Sequence, residues 1–291
     1  MSSTGSLSIP ATRPAVAASR TAFGALLLRD LSVLRKNLKE FIPRTILQPL
    51  LLVFVFSYVF PTIGQGVGGG GSGKAAVAGQ SAFATVLIAG VVGLSIFFQG
   101  VQAVALPMVQ EFGYTKEIED RVLAPLPVSL VAIEKVMAGA IQGVIAAAMV
   151  FPIASFVHAK NVHVTLQFHW LILLTMIPLA CVACSALGLT FGTFFDPRTV
   201  PLLFGIVILP LTFLGGTYYS WTRLAPVKVF GFSWLQALVC INPLIYVTEG
   251  FRAALTKAPH MHLYVIYPVL VAFTAFFLWQ GIAGFKRRVL S

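Results

Sequence analysis

The sequence predicts an all-α integral membrane fold: six transmembrane helices, an N-terminal amphipathic interface helix, and a re-entrant outer helical segment between spans five and six. Three observations carry this expectation. Of 291 residues, 58% are hydrophobic and only 10% charged, with a mean hydropathy of +0.90, whereas soluble domains carry about 25% charged residues. Apolar runs of roughly 20 residues recur, the length needed to cross a hydrocarbon core about 30 Å thick. The basic residues behind the net charge of +11 gather at the ends of those runs, as topology demands. They are not interleaved with aromatics on a soluble face, which excludes a nucleic-acid partner.

Residues 1–22 are polar and rich in small side chains, without an apolar core and cleavage site, and are expected to form a flexible tail rather than a signal peptide. Residues 23–44 follow as the interface helix. Leu27, Leu31, Leu34, Leu38 and Phe41 recur at helical spacing, while Arg29, Asp30, Arg35, Lys36, Lys39 and Glu40 fill the other faces. A basic amphipathic helix beside a span is expected to lie along the membrane, with Arg29, Arg35, Lys36 and Lys39 toward anionic head groups. Pro43 is expected to end it.

The membrane-spanning body, residues 45–291, begins with a first span at 46–63. The Gly-rich stretch 64–80 contains Gly68, Gly73 and Lys74 in most of a phosphate-binding loop pattern. Alanine at position 75 removes the metal-binding hydroxyl, so a flexible linker is expected there. The second span is placed at 81–108 and the third at 128–157. Glu134 and Lys135 stand near the third span's entrance, where long side chains reach the interface. The fourth span, 168–195, ends at the turn Asp196-Pro197-Arg198; the fifth is 200–219, and the sixth, 263–285, closes on Lys286, Arg287 and Arg288.

Between the last two spans, residues 220–262 hold an apolar core, 232–241, too short to cross and suited to a re-entrant helix. Tyr218, Tyr219, Trp221, Trp234 and Tyr246 resemble the aromatic belt of a head-group layer, and Pro226, Pro243 and Pro259 divide the segment. Counting Lys and Arg with the amino end inside gives fourteen inside against six outside. That asymmetry places both termini in the cytosol.

No span except the third carries an acidic or basic residue in its interior, so the ionisable groups expected of ion-coupled carriers are missing. The histidines (His158, His163, His169, His260 and His262) lack a metal-binding signature, and Cys181 and Cys184 sit in an apolar span as packing residues. No catalytic constellation, metal site or cofactor site is therefore expected in this chain, and energy must arrive from outside. The surface best able to receive it is the loop 109–127. Glu111, Lys116, Glu117, Glu119, Asp120 and Arg121 give it six charged residues. Within it, residues 116–121 are expected to form a short helix capped by Thr115.

Two stretches carry a family resemblance. One is E-F-G-Y-T-K-E-I-E-D-R-V-L-A-P-L-P from Glu111; the other is Asn242-Pro243-Leu244-Ile245-Tyr246 with Glu249 and Arg252. Together with the length and topology they resemble the membrane subunit of an ATP-binding-cassette exporter of the type-two permease family, which includes drug, lipid and polysaccharide export permeases. The resemblance spans essentially the whole chain; the long Gly-rich stretch departs from the commonest pattern. It implies a half-transporter in a bacterial cytoplasmic (inner) membrane that pairs with a second permease copy or paralogue and with two cytosolic ATPase subunits holding the ATP and Mg. It also implies a coupling helix at Glu111–Arg121, with residues 23–44 as the other wall of the docking groove, and short helices capping the outer exit at 220–262. Glu249 and Arg252, three apart on a helix, would share a face and pair. The implied substrate is amphipathic, lipid-linked or drug-like; a surface polysaccharide is the alternative within the family, and a non-transporting membrane enzyme or scaffold the alternative outside it.

Overall fold

A computed structural model describes residues 15–65, 74–115, 126–159, 162–228 and 233–290. The described residues are helices and connecting turns, without a strand. Five helices are long and apolar enough to cross a membrane: α2 (Leu38–Thr62), α3 (Lys74–Thr115), α4 (Val128–Phe156), α5 (Trp170–Phe194) and α9 (Leu263–Leu290). The first described helix is α1 (Ala15–Lys36), so residues 15–22, expected in the flexible tail, are helical. Between α5 and α9 come α6 (Val200–Leu214), α7 (Trp234–Val239) and α8 (Pro243–Leu255).

Helix α3 is the axis of the bundle. Its most apolar window is 72% buried, against 22% for α2 and α9, and it packs on α2, α4, α5 and α8. Close approach depends on absent side chains. A methyl group at Gly90 would overlap the Thr217 carbonyl, and one at Gly188 would stand 2.6 Å from the Val101 carbonyl. The apolar core then fills from Leu87, Ile96, Phe97, Val150, Met176 and Phe251. Cys181 and Cys184 are buried in it as reduced thiols.

Several boundaries differ from the expectation. Pro43 does not end the interface helix; the break is at Asn37, with φ −98° and ψ 17°, and Pro43 lies inside α2. The Asn37 carbonyl accepts the Glu40 and Phe41 amides, so a new helix starts at once. The carbonyl that Pro43 leaves unbonded belongs to Lys39, an exposed residue that water can satisfy. The break also shifts the apolar stripe: Leu27, Leu31 and Leu34 are half-buried, but Leu38 is exposed. Helix α3 starts at Lys74, so the end of the expected linker is helical. The Ala-rich run after Lys74 has the propensity for that. Gly68 and Gly73 lie outside the described residues.

Helix α6 has 15 residues, about 22 Å at 1.5 Å per residue, shorter than a hydrocarbon core of about 30 Å. It contains a wide π turn, Phe204–Ile208, and α2 contains another, Phe54–Val59. Each π turn holds the residue four before a proline, Ile206 before Pro210 and Ser57 before Pro61. The wider turn relieves the clash between the proline ring and that carbonyl. In α2 the freed Ser57 carbonyl accepts the Ala159 amide at 3.0 Å, which ties the α4–α5 connection to α2.

Beyond α6 the chain doubles back. Asn242, at the start of α8, donates to the Leu211 carbonyl at 2.6 Å. At the other end of α8 the Ala254 and Leu255 carbonyls accept the His169 and Gln167 amides, each at 2.9 Å. Helix α8 therefore rises from the level of α6 to the α4–α5 connection, and it is buried from Leu244 to Leu255.

Candidate functional site

Polar groups collect at two ends of the bundle. At the first, the π turn Glu111–Thr115 finishes α3. Glu111 was expected on an exposed handle but is buried, at 6% exposure, and its carboxylate accepts from the Lys135 ammonium. Lys135 reaches on to Asp30 of α1 at 3.4 Å. Lys135 and Glu134, expected to extend toward an interface, are instead 4% and 0% exposed. The reason is the partner. A lysine between two carboxylates gains more from them than from a distant aqueous rim, and an ammonium is buried only when paired.

The same turn is held on two further sides. The Phe112 ring meets Phe285 of α9 edge-on at 5.8 Å, and the Arg288 guanidinium lies 5.0 Å from its centre. Arg288 in turn donates to the Gly192 and Phe195 carbonyls at 3.0 and 3.1 Å, a cation satisfying the last carbonyls of α5. Gly113 abuts Pro197, whose ring would stand 2.9 Å from a methyl group at that position. The Thr115 hydroxyl donates back to the Gln110 carbonyl at 3.4 Å and is exposed. Lys116, Glu117, Glu119, Asp120 and Arg121 lie outside the described residues.

Between α1, the start of α2, α3 and α4 lies a groove of about 510 Å³, lined by Arg29, Asp30, Glu40, Arg44, Glu111 and Lys135. Arg29 is exposed on its wall, and Arg35, Lys36 and Lys39 are exposed elsewhere on α1 and α2. Deeper in the bundle a polar seam continues: the Thr45 hydroxyl bonds Gln99 at 3.2 Å, and Gln99 donates to Gln142 at 3.1 Å. Sequence reasoning did not single out Lys135, Asp30 or this glutamine pair as a unit. The signal available was Lys135 itself, an ionisable residue in an apolar helix, which calls for a named partner.

At the opposite end, Asn242 caps α8 by accepting the Leu244 amide at 3.0 Å, and Pro243 occupies the first helical position. Glu249 and Arg252 are both fully buried and bond at 2.6 Å. Glu249 Oε1 also accepts the Trp221 amide at 2.8 Å, and its Oε2 accepts the Met261 amide at 2.7 Å. Arg252 donates to the Gly216 carbonyl and, at 3.5 Å, to that of Thr217. The pair therefore ties the stretch 216–221 and Met261 to α8. Tyr246, expected in an aromatic belt, is buried; its hydroxyl donates to the Cys240 carbonyl at 2.9 Å, so it closes the α7–α8 turn. Trp234 is exposed. Among the described residues, no three His, Cys, Asp or Glu side chains assemble as a metal site.

The sequence matches the family model described as "ABC-2 type transporter" over residues 21–256. It is 31% identical over 170 residues to the inner membrane transport permease YadH of Escherichia coli K12 and to that of Shigella flexneri. Those alignments cover 57% of this chain and 60% of each relative, so the chain spans about three fifths of the curated relatives it matches. The model match takes in both polar ends, from α1 to the Glu249–Arg252 pair, and covers most of the chain: the chain belongs to the ABC-2 type transporter family.

Proposed function

We propose that this chain is the membrane-spanning subunit of an ATP-driven exporter, working as a pair of permeases with two cytosolic ATPase subunits. The complex stands in the inner membrane with both ends of the chain in the cytosol. ATP and Mg belong to the ATPase subunits, and the cargo is an amphipathic or lipid-linked molecule. Family membership supports the permease role, and the permease name of the relatives supports transport.

The observation that carries the mechanism is the anchorage of Glu111–Thr115. Residues 116–121 emerge from a turn fixed to α4 and α1 through Lys135, to α9 through Phe112, and to the α5–α6 turn through Gly113. A pull on that segment by a closing ATPase dimer is passed to four elements at once instead of being lost in a slack loop. The groove against α1 offers the motor a second wall carrying Arg29 and Arg44, with Arg35, Lys36 and Lys39 exposed on the same helices. Such coupling requires contacts that differ between two global states. The test is co-purification of the cognate ATPase subunit. Glu117→Lys with Asp120→Lys should lose most of the recovered ATPase while membrane insertion is unchanged; undiminished recovery would overturn the docking assignment.

A further inference from the structure

The end of the bundle away from Glu111 holds a second cavity, of about 600 Å³, between the start of α3, the α4–α5 connection and the chain on either side of the Glu249–Arg252 pair. Arg223 and Lys257 line it from segments 34 residues apart, and both are exposed. Among the described residues neither is ion-paired, and no carboxylate lines the cavity. The sequence sharpens this asymmetry. Eight of the nine acidic residues lie at positions 30–196, and the ninth is Glu249, which is buried and neutralised by Arg252. Nothing in the cavity wall offsets its two cations.

The wall also has an apolar and aromatic side, with Phe83, Val86 and Tyr218, beside polar side chains such as Thr165 and Gln167. The Tyr218 ring is held between Phe56 and Phe213, with centroids at 5.5 and 6.2 Å. Neighbouring hydroxyls are already engaged: Ser220 donates to the Pro259 carbonyl at 2.6 Å, and Thr256 to the Arg252 carbonyl at 2.8 Å. The cavity thus offers a guanidinium and an ammonium for charge and an aromatic-aliphatic side for an apolar tail. That combination fits a phosphate-bearing amphiphile, because a guanidinium forks onto phosphate oxygens and a lysine adds a point charge.

We propose that this cavity binds the anionic head group of a phosphate-bearing lipid, with Arg223 and Lys257 as its charge-recognising residues. The site does not depend on ATPase docking, so its failure and that of the transport mechanism are separable. The test uses the full chain in neutral detergent, with lipid occupancy counted by native mass spectrometry. The probes are dihexanoyl phosphatidylglycerol, dihexanoyl phosphatidylcholine and inorganic phosphate. At about five-fold per cation near a lipid head group, the anionic lipid should bind about thirty-fold more tightly than the zwitterionic one. Arg223→Gln with Lys257→Gln should make the two lipids equal, whereas Arg223→Lys with Lys257→Arg should keep most of the preference. Both residues are exposed, so the variants should fold. Equal affinities in the unaltered protein, or a preference that survives the glutamine variant, would overturn the site. Displacement of the lipid by an equal concentration of inorganic phosphate would also overturn it, because the apolar wall would then contribute nothing.

Discussion

Glu249→Gln is the substitution whose cost follows most directly from the geometry. The carboxylate takes three hydrogen bonds, from the Arg252 guanidinium, the Trp221 amide and the Met261 amide, with both charged groups fully buried. A glutamine of the same shape keeps at most two of those acceptor roles and turns an N–H toward a donor. It also leaves Arg252 buried without a counter-charge. Breaking a buried pair from one side costs about 3–5 kcal/mol. At roughly 2–4 °C per kcal/mol, the apparent melting temperature in detergent should fall by about 6–20 °C. The companion measurements are Arg252→Met alone and Glu249→Gln with Arg252→Met. The double variant leaves no unpaired buried charge and keeps an oxygen for a backbone amide, so it should lose less than the two singles summed, with a coupling of at least about 1 kcal/mol. Melting of Glu249→Gln within a degree of the unaltered protein, or a double variant worse than both singles combined, would refute the assignment of this pair as the clamp on α8.

Two further outcomes test the packing. Lys135→Met should cost about 3–5 kcal/mol, because the Glu111 carboxylate loses its buried cation, whereas Asp30→Asn should cost about 1 kcal/mol, since Asp30 is more exposed and stands farther off at 3.4 Å; thermal melting of the two variants compares them. Gly90→Ala should destabilise by about 1–3 kcal/mol or more, as the added methyl meets the Thr217 backbone, while Gly24→Ala, with open space around it, should gain up to about 1 kcal/mol of helix propensity; equal melting temperatures for the pair would count against the α3 packing.

The parts of the fold legible in the sequence are those set by solvent preference. Five long helices lie where apolar runs of sufficient length predict them. Pro243 reads in the sequence as a break, yet Asn242-Pro243 starts α8: an asparagine oxygen takes the Leu244 amide, and proline loses nothing at the first helical position. The Glu249–Arg252 bond followed from their spacing of three on one helix. What escaped were outcomes decided between elements. Asn37 and Pro43 both weaken a helix, and nothing local says which will break it; the choice turned on which carbonyl is left to water. The length of α6 was misjudged because apolar composition continues through Thr217 to Tyr219, where the backbone has already turned to lie against Gly90 and Arg252.

Burial of Lys135 shows the same limit from the side of charge. Sequence alone treats a lysine six residues or more inside an apolar helix as a residue looking for water. Here two carboxylates from α1 and α3 reach it first, and they arrive from positions 105 and 24 residues away. The consequence reaches function. Of the charges that read as one handle in the sequence, Glu111 is anchored in the bundle, and Lys116, Glu117, Glu119, Asp120 and Arg121 lie outside the described residues. Under the proposed coupling a fulcrum has to be fixed, and the buried Glu111–Lys135 pair would supply it. A charge-reversing change at Glu111 would therefore act on the stability of the bundle, whereas the same change at Glu117 or Asp120 would act on assembly. The two effects separate in one experiment that measures melting and partner recovery on the same preparations.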